Sequence, residues 1–256
     1  MAKMAKHEPA RPVIGRSPHR SVGVITIPWF QPDPVEWESQ LERGCIYSLV
    51  ALWVVVKILH QPFKIPIPSD KGERYYIPDF AVTLIDGTEI VIEVKPAKFV
   101  PEKEARLKSA QLWLEQRGIH FVVLTEVQLR HRAWVHIVPT FLRYARWDID
   151  AAQKTQVMRH IGDAGGEAPL GDLWDGKDPA TKIPAYFLIG RRELFLDPRE
   201  WEDDATRVSL IDPLKFTLNN KGNQNDDTTN QSATDLFRQW FGIESWGTHA
   251  SLQTPD

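Results

Sequence analysis

Asp79 follows Pro78, and Glu93 and Lys95 flank Val94. Between the two groups lies Asp86-Gly87, a dipeptide suited to a tight hairpin turn. A turn there brings Asp79 alongside Glu93, because each stands about seven residues from it. Alternate residues of a strand share a face, so Glu93 and Lys95 point the same way. Two carboxylates and an ammonium then meet at one spot. Neighbouring carboxylates repel, and burial sharpens the conflict. A hard divalent cation relieves it, and oxygen donors suit Mg²⁺, with Mn²⁺ as a substitute. Such an ion polarises a phosphodiester and acidifies water. Lys95 is then placed to orient that water, share in its deprotonation, or offset charge developing on the phosphate. A lone Glu-x-Lys is common at a polar strand end. Pro-Asp before a hairpin turn with Glu-x-Lys after it is far more specific, and it predicts metal-dependent phosphodiester hydrolysis.

The elements that must position these residues follow from the flanking sequence. Asp33-Pro34 offers a helix start and Gln61-Pro62 a stop, so a helix is expected from Pro34 to about Leu59. Its second half is apolar nearly all round and should be buried. Glu38 and Glu42 lie four apart on it and share a face, offering a further acid to the site. Strands are expected at Phe63–Ile67, Arg74–Ile85 and Thr88–Lys95. Glu102–Arg117 reads as an amphipathic helix, with Leu107, Ala110, Gln111 and Leu114 on one face. Gly118 ends it, and Ile119–Leu124 reads as a buried strand. Val127–Arg130 and Val135–Tyr144 look like short helical pieces. This order makes a layered α/β unit.

Around that unit, residues 1–21 read as a flexible basic arm and 22–147 as the catalytic domain. Residues 148–217 form a smaller region for a partner or DNA. There Ile183–Ile189 and Glu193–Leu196 suggest a hairpin after one or two helices, in a mainly helical or winged-helix-like module. Residues 218–256 are a polar tail, low in complexity at its start, with a possible docking segment at 235–246.

Composition narrows the alternatives. The net charge of −3 excludes a uniformly basic nucleic-acid binder, yet residues 97–147 hold nine Lys or Arg against four acids. Within that stretch Lys98, Lys103, Arg106, Arg130 and Arg132 are candidate DNA contacts, with a solvated helix face as the competing reading. A single cysteine, Cys45, excludes an internal disulfide and a cysteine-rich zinc site. It reads as a small buried hydrophobe and fits a reducing, cytoplasmic setting. The apolar run 46–56 is about half of what spans a bilayer, so no membrane association is expected. The histidines lack metal-ligand spacing, and no phosphate-cradling loop with Lys-Ser or Lys-Thr is present.

Taken together, Glu38-Ser39-Gln40-Leu41-Glu42-Arg43, Gln61-Pro62, Pro78-Asp79-Phe80, Gly87 and Glu93-Val94-Lys95-Pro96 resemble the catalytic domain of the TnsA family of transposon endonucleases. The runs Gly118-Ile119-His120-Phe121, Leu124-Thr125-Glu126 and Leu142-Arg143-Tyr144 add to the likeness, which covers roughly 22–146. The resemblance implies a restriction-endonuclease-like mixed sheet flanked by helices, of the PD-(D/E)XK kind. It implies cutting of the 5′, non-transferred strand at each transposon end, in double-stranded DNA. The partners implied are a DDE transposase (TnsB-like) and an AAA+ regulator (TnsC-like), in a bacterial, nucleoid-associated setting. By matching positions the catalytic set is Glu42, Asp79, Glu93 and Lys95, with Glu42, Asp79, Glu93 and Val94 at the metal. Some members carry Gln where this chain has Glu93, which makes that position a secondary ligand. Two rival readings stand beside it: a phage or repair nuclease of the same fold, and a catalytically silent assembly factor.

Overall fold

Ser39 begins the first helix, α1 (Gln40–Ala51), where its Oγ accepts the Glu42 N–H at 3.1 Å. In the computed structural model, residues 7–11, 21–68, 74–129, 132–174, 178–211 and 232–247 are described. The expected helix from Pro34 to Leu59 is therefore too long at both ends. Before α1, β1 (Gly23–Ile25) pairs antiparallel with β2 (Val35–Trp37). After it, Leu52 turns to extended backbone and β3 (Val55–His60) begins. The β-branched run Val54-Val55-Val56 favours the strand. An apolar run buried on all sides has no period by which helix and strand can be told apart.

Two short strands, β4 (Ile65–Ile67) and β5 (Arg74–Tyr76), pair antiparallel. The expected strand Arg74–Ile85 is two: β5 ends at Tyr76, and β6 (Phe80–Leu84) starts after Ile77-Pro78-Asp79. Pro78 has no N–H to give to a ladder, so the chain breaks there. The turn at Asp86-Gly87 forms as read, with Gly87 at φ 87° and its N–H on the Leu84 carbonyl at 2.9 Å. It delivers β7 (Glu89–Val94), antiparallel to β6. Helix α2 (Val100–Glu115) then crosses to β8 (His120–Leu124), which pairs parallel with β7. A four-stranded mixed sheet results, in the order β3-β6-β7-β8. Leu107, Ala110 and Leu114 of α2 cover Val91, Phe121 and Val123 on one of its faces. A short helix, α3 (Glu126–Leu129), closes this part of the chain.

Contacts divide the chain into two units, one of residues 1–130 with 231–256 and one of residues 131–230. The division falls at 130/131 rather than 147/148, because α4 (Arg132–Tyr144) gives Phe141 to the core of the second unit. That unit also holds α5 (Ala151–Asp163), β9 (Glu167–Pro169), α6 (Ile183–Gly190), β10 (Leu194–Phe195) and β11 (Arg207–Leu210). Its three strands pair antiparallel in the order β10-β11-β9. Ile183–Ile189, expected as a strand of a hairpin, is the helix α6. Pro184 sits in its first turn, and Phe187, Leu188 and Ile189 are all buried, so its apolar residues need no strand period. At its end, a Cβ on Gly190 would stand 2.2 Å from the Phe141 carbonyl oxygen, so only glycine lets α6 approach α4 this closely.

The last described stretch returns to the first unit. Helix α7 (Ala233–Phe241) is capped by Ser232 and ends at Gly242 in the left-handed conformation. Phe237 is fully buried, and the Trp240 indole N–H donates to Ser48 Oγ of α1 at 3.0 Å. Beyond it Trp246 stacks on His120 at 4.4 Å, and the Gly247 N–H reaches the Phe121 carbonyl at 2.9 Å. The polar stretch 218–231 and most of the arm lie outside the described residues. No described helix is long and apolar enough to cross a membrane.

Candidate active site

Phe80 faces Ile92 across the hairpin, which sets Asp79 beside Glu93 at the end of the ladder. Asp79 Oδ2 accepts the Val94 N–H at 2.8 Å, tying the two strand ends together. Glu93 is 5% exposed although it carries a carboxyl group. The Tyr76 hydroxyl donates to its Oε2 at 2.5 Å, and Lys95 Nζ lies 2.6 Å from its Oε1. Glu93 and Lys95 thus share a face, as their spacing requires.

Glu42 comes from the first turn of α1. Its Oε2 accepts the Glu38 N–H at 2.7 Å, and its Oε1 accepts the Ser39 hydroxyl at 2.9 Å. That is a helix-capping arrangement, and capping alone would justify an acid here. A solvated cap, however, has no reason to be 8% exposed or to sit within the field of two other acids. Burial raises the Glu42 carboxyl above its ordinary range, and the charges of Glu38 and Glu93 add to it. Burial likewise holds Asp79 well above the usual range, followed by the charges of Glu93 and Glu42. Each of these two carboxyls thus feels the charge of Glu93, and Asp79 that of Glu42 as well. Burial works against the Lys95 ammonium, but Glu93 and Asp79 outweigh it, and its pKa is raised. Lys95 is therefore a cation in the metal-free protein.

The basic candidates separate. Lys98 and Lys103 are exposed, Lys98 lying over the Phe99 ring and Lys103 pairing with Glu102. Arg106 turns toward the site. Its guanidinium lies 5.3 Å from the Tyr76 ring centre and donates to the Tyr75 carbonyl at 3.1 Å, and its charge reaches Lys95. Arg130 and the side chain of Arg132 lie outside the described residues. Cys45 is fully buried, and burial pushes its thiol well up, as befits a packing residue.

Among the described residues no three His, Cys, Asp or Glu side chains converge to hold a metal ion as they stand. Lys95, Tyr76, Ser39 and two backbone N–H groups meet the carboxylates instead. The donor chemistry still fits a hard cation: the charge of Glu93 raises both Glu42 and Asp79, and carboxylate oxygens have a second lone pair to offer. Lys95 acts as the resident counter-charge.

Residues 54–126 match the family model described as TnsA-like endonuclease N terminal. This segment is similar to the N-terminal domain of TnsA-like endonucleases. No curated protein matches the chain. The match takes in Asp79, Glu93 and Lys95 but stops short of Glu42, which is tied to the cluster by the charges it exchanges with Asp79 and Glu93.

Tyr76, Arg11 and Gln61 border the site; of these the sequence marked only Gln61, with Pro62, and as a helix stop and part of the family likeness rather than as a site residue. Tyr76 carried a weak signal, as a tyrosine in a strand two residues before Pro78. Nothing local marks Arg11, which lies 50 residues from Gln61. His60 is a further buried residue, 5% exposed; among the described residues neither ring nitrogen has a hydrogen-bond partner, and Glu36 Oε2 lies 3.7 Å from its Nε2. Burial, then the nearby His7, lowers its pKa to about 4. A lowered histidine pKa gives stability that is present above the unfolded value of about 6.5 and is lost as pH falls toward 4. Between pH 7 and 4.5 this amounts to about 2 kcal/mol. Urea titrations at both pH values are expected to show His60→Gln losing less stability than the wild type by about that amount. Equal losses would remove His60 from the acid response.

Proposed function

We propose that this chain is a metal-dependent DNA endonuclease that cuts the 5′, non-transferred strands at transposon ends during cut-and-paste transposition. The observation that carries the reading is the gathering of Asp79, Glu93 and Lys95, inside a TnsA-like segment, with Glu42 brought to them by α1. A helix, an antiparallel sheet, a crossover helix and a parallel strand are the order of a restriction-endonuclease-like core, and we read the first unit so. The second unit, with helices α5 and α6 and the strand order β10-β11-β9, is read as a winged-helix-like module. Its α6 is apolar and buried, so contacts with DNA or a partner fall to other elements.

Glu42, Asp79 and Glu93, with Val94 beside them, would hold Mg²⁺ or Mn²⁺. The ion supplies polarisation of the scissile phosphate and acidifies water. The remaining work belongs to the chain. Glu93 is kept in place by the Tyr76 hydroxyl when Lys95 leaves it. The Lys95 ammonium then meets the phosphate, where it offsets the charge that builds up during in-line attack. Burial of Glu93 removes competing water and strengthens that interaction. Arg106, Lys98 and Lys103 are placed along α2 and its approach for the DNA backbone. A DDE transposase would cut the other strand and an AAA+ regulator would license the complex.

The test is strand nicking on an end-labelled transposon-end duplex with Mg²⁺ or Mn²⁺ and the cognate transposase. Lys95→Ala is expected to lower the nicking rate by roughly 10²–10³-fold or more, the scale of losing one group that stabilises the transition state. Equal nicking by wild type and variant would leave the assembly-factor reading in front. Nicking of any duplex without regard to transposon ends would favour the phage or repair nuclease.

A further inference from the structure

The stretch 7–11, expected to be a free arm, is held against the first unit at several points. The Ala10 N–H donates to the Gln61 carbonyl at 2.8 Å, and the His7 ring Nε2 bonds the His60 carbonyl at 2.6 Å. Arg11 makes the most of these contacts. Its Nη1 and Nη2 grip the Glu38 carboxylate at 2.8 and 2.7 Å, and its Nε donates to Gln61 Oε1 at 2.9 Å.

Both acceptors lead directly to the acid cluster. The Glu38 N–H holds the Glu42 carboxylate, and the Gln61 N–H holds the Asp79 carbonyl at 2.8 Å. One guanidinium therefore links the start of α1 to the start of β6, the two elements that present Glu42 and Asp79. Gln61 is 2% exposed and sits at φ 45°, a left-handed backbone that disfavours a non-glycine residue. The surroundings must hold it there, and Arg11 is part of what does. Arg11 also feels the charges of Asp79 and Glu42 beyond that of Glu38, so it lies close to the cluster as well as linked to it.

We propose that Arg11 is a positioning residue for the acid site: its fork fixes Glu42 and Asp79 relative to each other, and docking of the stretch 7–11 sets the affinity of the cluster for a divalent cation. The inference rests on the metal-dependent reading above. Two effects of Arg11 oppose each other. Its positive charge works against a cation, while its geometry aligns the ligands. Arg11 is 41% exposed, so water screens its charge, whereas the hydrogen-bonded alignment is not screened. Alignment wins on this argument. Residues that orient metal ligands typically contribute 10–100-fold in affinity.

Mn²⁺ binding to the full chain, followed by electron paramagnetic resonance and by calorimetry, tests this without any cleavage assay. Arg11→Ala is expected to bind Mn²⁺ roughly 10–100-fold more weakly at unchanged stoichiometry. Arg11→Lys keeps the charge but lacks the planar fork, so it should recover little of the loss. Circular dichroism establishes that each variant is folded, and Glu38→Gln, which weakens the same grip from the other side, gives a second route to the same loss. Unchanged affinity in Arg11→Ala would overturn the inference and leave the nuclease reading intact. Tighter binding would overturn it too, making Arg11 an electrostatic brake. Absence of Mn²⁺ binding in the wild type would take the metal-dependent reading down with it.

Discussion

Asp79→Asn is expected to make the metal-free protein more stable while abolishing both its response to Mg²⁺ and its strand cleavage. The charged form of Asp79 is costly, since burial and two neighbouring acids push its carboxyl well above the usual range. Asparagine removes the charge and keeps an oxygen to accept the Val94 N–H. The melting temperature should rise by roughly 2–4 °C for each kcal/mol of repulsion relieved. The pH dependence has a definite sign. A carboxyl with a raised folded pKa favours the folded state at low pH, where it is protonated, and that stability is lost as pH rises through the folded pKa. The advantage of the variant should therefore grow as pH rises and shrink on acidification. Mg²⁺ should then invert the ranking. A ligand at 100 times its dissociation constant stabilises the form that binds it by about 2.7 kcal/mol, and only the wild type should gain this. Thermal melts with and without Mg²⁺ at two pH values suffice. A variant that is no more stable without metal, and still gains stability with it, would remove Asp79 from the site.

The second large effect concerns α7. A chain ending at residue 231, or one carrying Phe237→Ala, is expected to lose the fold of the first unit, although neither change touches the acid cluster. Phe237 is fully buried, Trp240 bonds Ser48 of α1, and Gly247 bonds Phe121 of β8. Truncating a buried phenylalanine typically costs 3–5 kcal/mol, a large part of the stability of an ordinary domain. Removing the whole helix also uncovers the buried face of α1. Urea titration of Phe237→Ala followed by circular dichroism would measure the loss. A fragment covering 22–147 that folds well by itself would refute the dependence.

The acid–lysine pair was legible because a hairpin turn converts sequence distance into spatial distance. With Asp86-Gly87 as the fold point, Asp79 and Glu93 had to meet, and they do. The same reasoning broke down at Pro34–Leu59, where an unbroken apolar run hid the change from helix to strand. It broke down again at Ile183–Ile189, where the same ambiguity ran the other way and a helix passed for a strand. Glu42 was legible as a helix acid even though its helix was drawn too long, since it lies on a helix in either drawing. Arg11 and Gln61 were beyond reach for another reason: their meeting depends on chain closure over 50 residues, which leaves no local pattern.

The first unit is assembled from the two sides of residues 131–230. At about 5–20 residues per second, a ribosome needs on the order of 5–20 s to make that intervening stretch. Through that interval Asp79, Glu93 and Lys95 have already been synthesised, but the helix that covers α1 has not. The second unit, contiguous in sequence, is complete first. A unit assembled in this order gains its last packing element only when residue 247 has emerged, so a stalled or clipped nascent chain lacks the helix that covers α1.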